Sequence, residues 1–257
     1  MLTDVEVSSE NQTPQLRPAR WGDLFIYLLG GVGLYFLASL ALGMFVREMN
    51  IWTTFALGLL NFFCLTASVY LFGIKRKKIS WESLGLVPPR NLKRLALLGT
   101  GLAVMVIPLR LIFAAIVIWA ENLIYGEVTS LSLRESLFSV GFDTWYGIVL
   151  MVLSVGILAP IAEELIFRGL LYDFFRQKTG VSWAVLITSG LFGLAHYDSL
   201  AVVVSSFIMG LVMAIAVEKT KSLWVSIFMH VATNSGAIVV SAILVWMQGV
   251  LPTTLQY

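Results

Sequence analysis

Residues 145–169 read WYGIVLMVLSVGILAPIAEELIFRG, uncharged from Trp145 to Ala162 and then carrying Glu163, Glu164 and Arg168. Up to Ile161 this is the pattern of a helix crossing a bilayer, which takes roughly 20 apolar residues. A carboxylate at bilayer depth costs about 2.5 kcal/mol or more on insertion scales, so polar side chains kept there have a partner or a task. One stretch thus points both to membrane-spanning helices and to a polar site inside the membrane.

Similar runs recur at residues 24–46, 51–74, 95–109 continuing past Arg110 to 120, 181–195, 200–217 and 223–246. With 58% hydrophobic and 12% charged residues and a mean hydropathy of +0.88, the chain is too apolar for an ordinary soluble domain. The expected fold is all-α, a polytopic transmembrane helix bundle of about seven to eight spans with an intramembrane cavity. The last run reads either as one tilted helix or as two shorter pieces.

Short cytoplasmic loops collect Lys and Arg. With the N-terminus inside, seven alternating spans put Arg17, Arg20, Lys75 to Lys78, Arg90, Lys93, Arg94, Arg168, Arg176, Lys178, Lys219 and Lys221 on or near the cytoplasmic side. Arg47 and Arg134 fall in outside loops, and Arg110 lies within a span. This predicts an integral protein of the plasma (inner) membrane with its N-terminus in the cytoplasm. The basic loops can touch anionic lipid, and nothing in the charge pattern supports nucleic-acid binding.

Residues 1–20 read as a polar cytoplasmic tail without the apolar core of a removable signal, and residues 21–257 as one transmembrane domain without internal repeats. In the loop between Lys75 and Arg94, Trp81, Leu84 and Leu86 are expected to rest on the interface, with Pro88-Pro89 closing the loop. Residues 121–143, with Leu131, Leu133, Leu137 and Phe138 among charges, suit a segment lying on the outer surface. Cys64, the lone cysteine, reads as a small packing residue. Small residues four apart, Ser189 with Gly193 and Gly210 with Ala214, allow the fifth and sixth helices to approach closely.

The polar residues of three spans carry the chemistry. Glu163 and Glu164 diverge by about 100° on a helix, so they cannot share a target. Glu164 and Arg168 are spaced to pair along one face, which leaves Glu163 to look elsewhere. Pro160 removes a backbone donor and loosens the turn before it. His196 closes Phe192-Gly193-Leu194-Ala195-His196, and His230 stacks with Asn234 on one helical face. Each feature has a plain structural reading: a surface ion pair at the cytoplasmic end of a span, an interfacial anchor, and an inter-helix clasp. Together they supply a carboxylate, two imidazoles and an amide, the inventory needed to activate a water, hold an oxyanion and protonate a leaving amine. Zinc is the competing chemistry for a Glu and two His, but the H-E-x-x-H spacing is absent, so no metal or other cofactor is expected.

Glu163-Glu164-x-x-x-Arg168, Phe192-x-x-x-His196 and His230-x-x-x-Asn234, in that order on successive apolar segments, resemble the CPBP family of intramembrane proteases. That family holds the type II CAAX prenyl endopeptidases and the bacteriocin-processing and self-immunity proteins, also called the Abi family. The resemblance covers roughly residues 145–242. It implies a metal-independent glutamate-type endopeptidase whose site opens to the cytoplasmic side. Glu163 would be the general base with His196 sharing the water, His230 and Asn234 the oxyanion site, and Glu164 and Arg168 supporting residues. The implied partners are a peptide or protein substrate, prenylated or not, and membrane lipid. Two other readings stand beside it: a non-enzymatic scaffold or bacteriocin self-immunity protein, and a proton-coupled transporter, for which Arg110 within a span speaks. Neither the natural substrate nor the oligomeric state is legible.

Overall fold

The computed structural model describes residues 20–250 apart from 47, 49, 77, 87–90, 127–140 and 143. Seven helices hold most of these: α1 Trp21–Phe45, α2 Ile51–Ile74, α3 Leu92–Tyr125, α4 Trp145–Thr179, α5 Val181–Leu194, α6 Leu200–Thr220 and α7 Leu223–Val250. Among the described residues there is no strand. Six of the helices are long and apolar enough to cross a membrane, and α5, at 14 residues, is the short one. The protein is therefore an integral membrane protein built as a polytopic helical bundle. The last apolar run is one helix of 28 residues, so the option of an eighth span drops out. Pro108 and Arg110 lie inside α3, which runs through both. Large apolar side chains such as Leu97, Met105, Leu111 and Trp119 point outward, as expected where the surrounding medium is hydrocarbon.

Contacts between helix ends fix the two ends of the bundle. At one end the ring of Trp21 meets Phe174 at 4.6 Å, Lys78 pairs with Asp23, and Arg176 Nε donates to Glu218 at 2.9 Å. At the other, Trp52 stacks on Tyr146 with centroids 6.2 Å apart, and Ile51, Met151 and Ile238 form a small buried cluster. The first of these, the basic end, gathers most of the Lys and Arg residues of the loops. Helices α5 and α6 rise from it as a hairpin whose crest is the turn at residues 195–199. The small residues permit this pairing, because a Cβ on Gly193 would stand 2.8 Å from Val203 O and one on Gly210 3.1 Å from Ser189 Cα.

Apolar packing joins the helices toward the basic end. Leu24, Leu165, Ile166, Leu170, Leu171, Phe174 and Leu223 form one buried cluster there. Leu84 joins it at 4% exposure, where the sequence had suggested a residue lying on the interface. The correction has a backbone cause: Gly85 adopts φ +71°, which an L side chain resists, and its carbonyl accepts from the Leu223 N–H at 2.9 Å. That bond draws the loop inward beneath Gly169. Trp81 remains exposed as expected. Pro88-Pro89 and most of the mixed segment 121–143 lie outside the described residues. Cys64 is buried, as expected of a packing residue.

Helix α4 is not a plain α-helix. Wide π-helical turns occupy Val152–Leu158 and Leu165–Leu171, leaving an α-helical island, Ala159–Glu164, that carries both glutamates. Such turns insert residues and re-aim the side chains around them, and they recur at functional sites. The first lies just before Pro160, whose missing N–H cannot bond Gly156 O. Ser235 Oγ of α7 donates to that carbonyl instead, at 3.2 Å.

Candidate active site

The helix does not end at the glutamates, as the surface-pair reading assumed, but continues to Thr179. Glu164 and Arg168 pair at 3.0 Å with both side chains fully buried. Isolated in a low-dielectric interior such charges would be costly, so each needs further partners. Arg168 Nη2 donates to Gly210 O at 3.3 Å, and its guanidinium lies 4.2 Å over the Phe192 ring. Glu164 Oε1 also faces His230 Nδ1 at 3.0 Å.

Glu163 is placed differently. Its Oε2 is buried without a hydrogen-bond partner, with His196 Nε2 at 3.7 Å and His230 Nε2 at 3.8 Å. These separations exceed a direct hydrogen bond and suit groups that share a bridging molecule. Glu163 and His196 keep about a fifth of their side-chain surface exposed, at 21% and 20%, whereas His230 keeps 2%. The motif residues of three chain segments thus meet at one place.

Both imidazoles are held by their Nδ1 atoms. His196 Nδ1 lies 2.8 Å from Phe192 O. A carbonyl only accepts, so Nδ1 carries the proton and a neutral His196 presents a bare Nε2. Phe192 also packs its ring against His196 and His230, with centroids at 4.6 and 5.5 Å. Sequence reasoning used Phe192 only as a motif position. Its position between Arg168 and both imidazoles emerges only from the three-dimensional packing. Asn234 Nδ2 donates to Val155 O of the first π-helical turn at 3.2 Å. One of its two amide N–H bonds is spent there, and the second remains for the cavity that Asn234 lines.

That cavity, of about 450 Å³, is lined by Glu163, His196, His230 and Asn234 together with Tyr35, Thr54, Arg110, Met151, Asp198 and Ile238 among others. Its volume is typical of small-ligand and peptide sites. Arg110, noted in the sequence as an anomaly, is part of its wall and also donates to Met209 Sδ at 3.2 Å. A second, separate cavity of about 310 Å³ lies at the basic end against Glu82, Arg168, Tyr172 and Glu218. The Glu164–Arg168 pair stands between the two. Among the described residues no three His, Cys, Asp or Glu side chains are grouped so as to hold a metal ion.

The fold and this site define a polytopic helical membrane protein with a carboxylate–imidazole–amide centre set within its bundle. Residues 145–236 match the family model described as Type II CAAX prenyl endopeptidase Rce1-like, so the resemblance carried by the three motifs holds over that stretch. The chain is 33% identical over 97 residues to the Bacillus subtilis (strain 168) protein named "Putative membrane peptidase YdiL", covering 38% of this chain and 39% of that one. It is 35% identical over 94 residues to an "Uncharacterized 24.3 kDa protein" of Escherichia coli, covering 35% of this chain and 43% of the other. The matches thus span about two fifths of the length of these relatives. No solved structure matches.

Proposed function

We propose that the protein is an intramembrane endopeptidase, a CAAX-processing-type hydrolase that activates water with a glutamate and without metal. The observation that carries this reading is Glu163 Oε2, a buried acceptor without a hydrogen bond, aimed between two imidazole Nε2 atoms. A water at that point donates one hydrogen to Glu163 and the other to the bare Nε2 of His196. As its oxygen bonds to the peptide carbonyl carbon, Glu163 takes the proton.

His230 plays a different part because its Nδ1 is engaged by Glu164. With that carboxylate ionised beside Arg168, Nδ1 must donate, so His230 presents an N–H to the cavity only as an imidazolium. The local charges accommodate it: the carboxylates of Glu163, Glu164 and Asp198 stand against the guanidinium groups of Arg168 and Arg110, and one added positive charge balances them. Nε2–H of His230 and the second N–H of Asn234 then meet the oxyanion. Collapse of the tetrahedral intermediate breaks the C–N bond, and Glu163 passes its proton to the leaving nitrogen. The residues proposed as catalytic are Glu163, His196, His230 and Asn234, with Glu164 and Arg168 holding His230. The substrate is a peptide or protein, prenylated or not, met within the lipid. We place the protein in the plasma (inner) membrane with the N-terminus in the cytoplasm, on the distribution of Lys and Arg.

The deciding experiment uses the full chain in liposomes with a candidate peptide. Glu163→Gln keeps size and most hydrogen bonding but removes the base, so cleavage should vanish while abundance holds. Unchanged turnover defeats the assignment. Cleavage by the native chain should survive chelation; loss on chelation with rescue by zinc would transfer the water to a metal.

A further inference from the structure

The hydroxyls on α1 and α2 beside the cavity at Glu163 differ from those elsewhere in the bundle. A Ser or Thr inside a helix can donate to the carbonyl one turn back. Thr66, Thr188 and Thr233 do so, reaching Phe62 O at 2.5 Å, Ala184 O at 2.7 Å and Met229 O at 2.8 Å. By contrast, Thr54 Oγ1 on α2 and Ser39 Oγ on α1 are buried and have no hydrogen-bond partner. Thr54 lines the cavity at Glu163 together with Tyr35 of α1. Tyr35 also lines an adjoining cavity of about 310 Å³ whose wall includes Ser39. Three hydroxyl-bearing residues of α1 and α2 thus stand along one hollow that runs from Glu163 past Tyr35. Hydrocarbon offers no water to an unsatisfied hydroxyl, so keeping two of them there is costly unless a bound molecule supplies the partner.

We infer that Tyr35, Ser39 and Thr54 form a subsite for extended polypeptide backbone, holding the substrate by its main chain beside the bond that is cut. A peptide drawn into a site within the membrane brings N–H and C=O groups that have left water, and each needs a partner there. A hydroxyl answers either group, because it donates to a carbonyl and accepts from an N–H. The spacing also fits. Tyr35 and Ser39 lie one turn apart on α1, about 6 Å of rise, and main-chain groups on one edge of an extended strand recur every two residues, about 6.6 Å. Much of the remaining wall, at Met151, Val155 and Ile238, is apolar and makes few demands on side chains. The inference rests on the endopeptidase reading and adds what that reading leaves open: selection acts on an extended, hydrogen-bonding backbone more than on one sequence.

The test measures binding to the full chain in liposomes, carrying Glu163→Gln so that nothing is cut, with protein-free liposomes as background. The probes are a pool of random-sequence decapeptides and the same pool N-methylated along the backbone, which removes the main-chain donors and keeps the side chains. Methylation should weaken binding about tenfold. Tyr35→Phe, Ser39→Ala and Thr54→Val together should weaken binding of the plain pool to a similar extent and erase the difference between the pools. Because the hydroxyls of Ser39 and Thr54 bond nothing in the free protein, Ser39→Ala and Thr54→Val should each melt at or above the native temperature. Binding of neither pool, equal binding of both, a preference that survives the triple substitution, or a lowered melting temperature in the two single variants overturns the subsite. Cleavage of the plain pool by the unsubstituted chain is read separately. Its absence beside binding that depends on the three hydroxyls sinks the endopeptidase reading and leaves the subsite standing, and cleavage without such binding does the reverse.

Discussion

Glu163 and Glu164 are neighbours in the chain, yet they belong to two different regions of the molecule. Glu164 lies in the packed region toward the basic end, fully buried and bonded to Arg168 and His230. Glu163 faces the cavity on the other side, partly exposed, with a carboxylate oxygen that has no hydrogen bond. One step of about 100° around a helix separates a carboxylate tied through Oε1 to Arg168 and His230 from one that lines the cavity between two imidazoles. A buried charge with partners is costly to disturb, and a buried acceptor without them is available to a ligand.

The sharpest way to break this contrast is to exchange the two carboxylates for amides in turn. Glu163→Gln should lower cleavage by about 10²–10⁴-fold, equivalent to about 3–5 kcal/mol of transition-state stabilisation, with thermal stability unchanged. Comparable activity losses with unfolding in both variants would erase the distinction between the two glutamates. Arg168→Met leaves Glu164 buried without its main cation and should cost about 3–5 kcal/mol of stability, read as loss of folded protein in detergent. A variant that melts normally would mean that the packed region does not depend on the pair. Leu84→Ala removes a buried side chain from the apolar cluster and should destabilise by about 2–5 kcal/mol, measured by the midpoint of denaturation. If Leu84 were instead an interfacial residue, the change would be within about 0.5 kcal/mol. The smallest effect is expected for Tyr172→Phe, which deletes the 2.9 Å bond to Glu218 Oε2. Because Arg176 and Lys221 also hold that carboxylate, the loss should be about 1 kcal/mol or less, visible as a small shift in melting temperature.

The helices were largely legible in the sequence, because a spanning segment declares itself by length and lack of charge. The run at 51–74 matches α2 end for end. What misled was polarity at the far end of α4. Arg168, Asp173, Arg176 and Lys178 suggested that the span stopped near Glu163, whereas the helix continues as a buried and then a surface segment to Thr179. Composition cannot separate a helix leaving the membrane from one ending there. Leu84 escaped for a similar reason, since a leucine in a basic loop reads as interfacial unless the φ of Gly85 is known.

At the site, the identity of the polar residues was legible and their division of labour only partly so. The acid-first spacing of Glu164 and Arg168 gave their pairing, and the helical step gave the divergence of Glu163. The engagement of His230 Nδ1 by Glu164 was hidden, because it joins residues 66 positions apart. The anchoring of Asn234 on Val155 O was hidden too, because the π-helical turns that present that carbonyl have no sequence signature of their own. The course of the cavity wall depends on all these packings at once, and no motif spells it out.

Pro160 has a consequence for alignment between helices. By withholding its hydrogen from Gly156 O it leaves room for the hydroxyl of Ser235 to donate there, and Ser235 is fixed along α7 next to Asn234 and just over one turn from His230. Sliding α7 by a single residue, about 1.5 Å, would break that bond in a medium that offers no substitute partner to the hydroxyl. A proline therefore works as a detent, holding the imidazole at the height of the glutamates by penalising every other register.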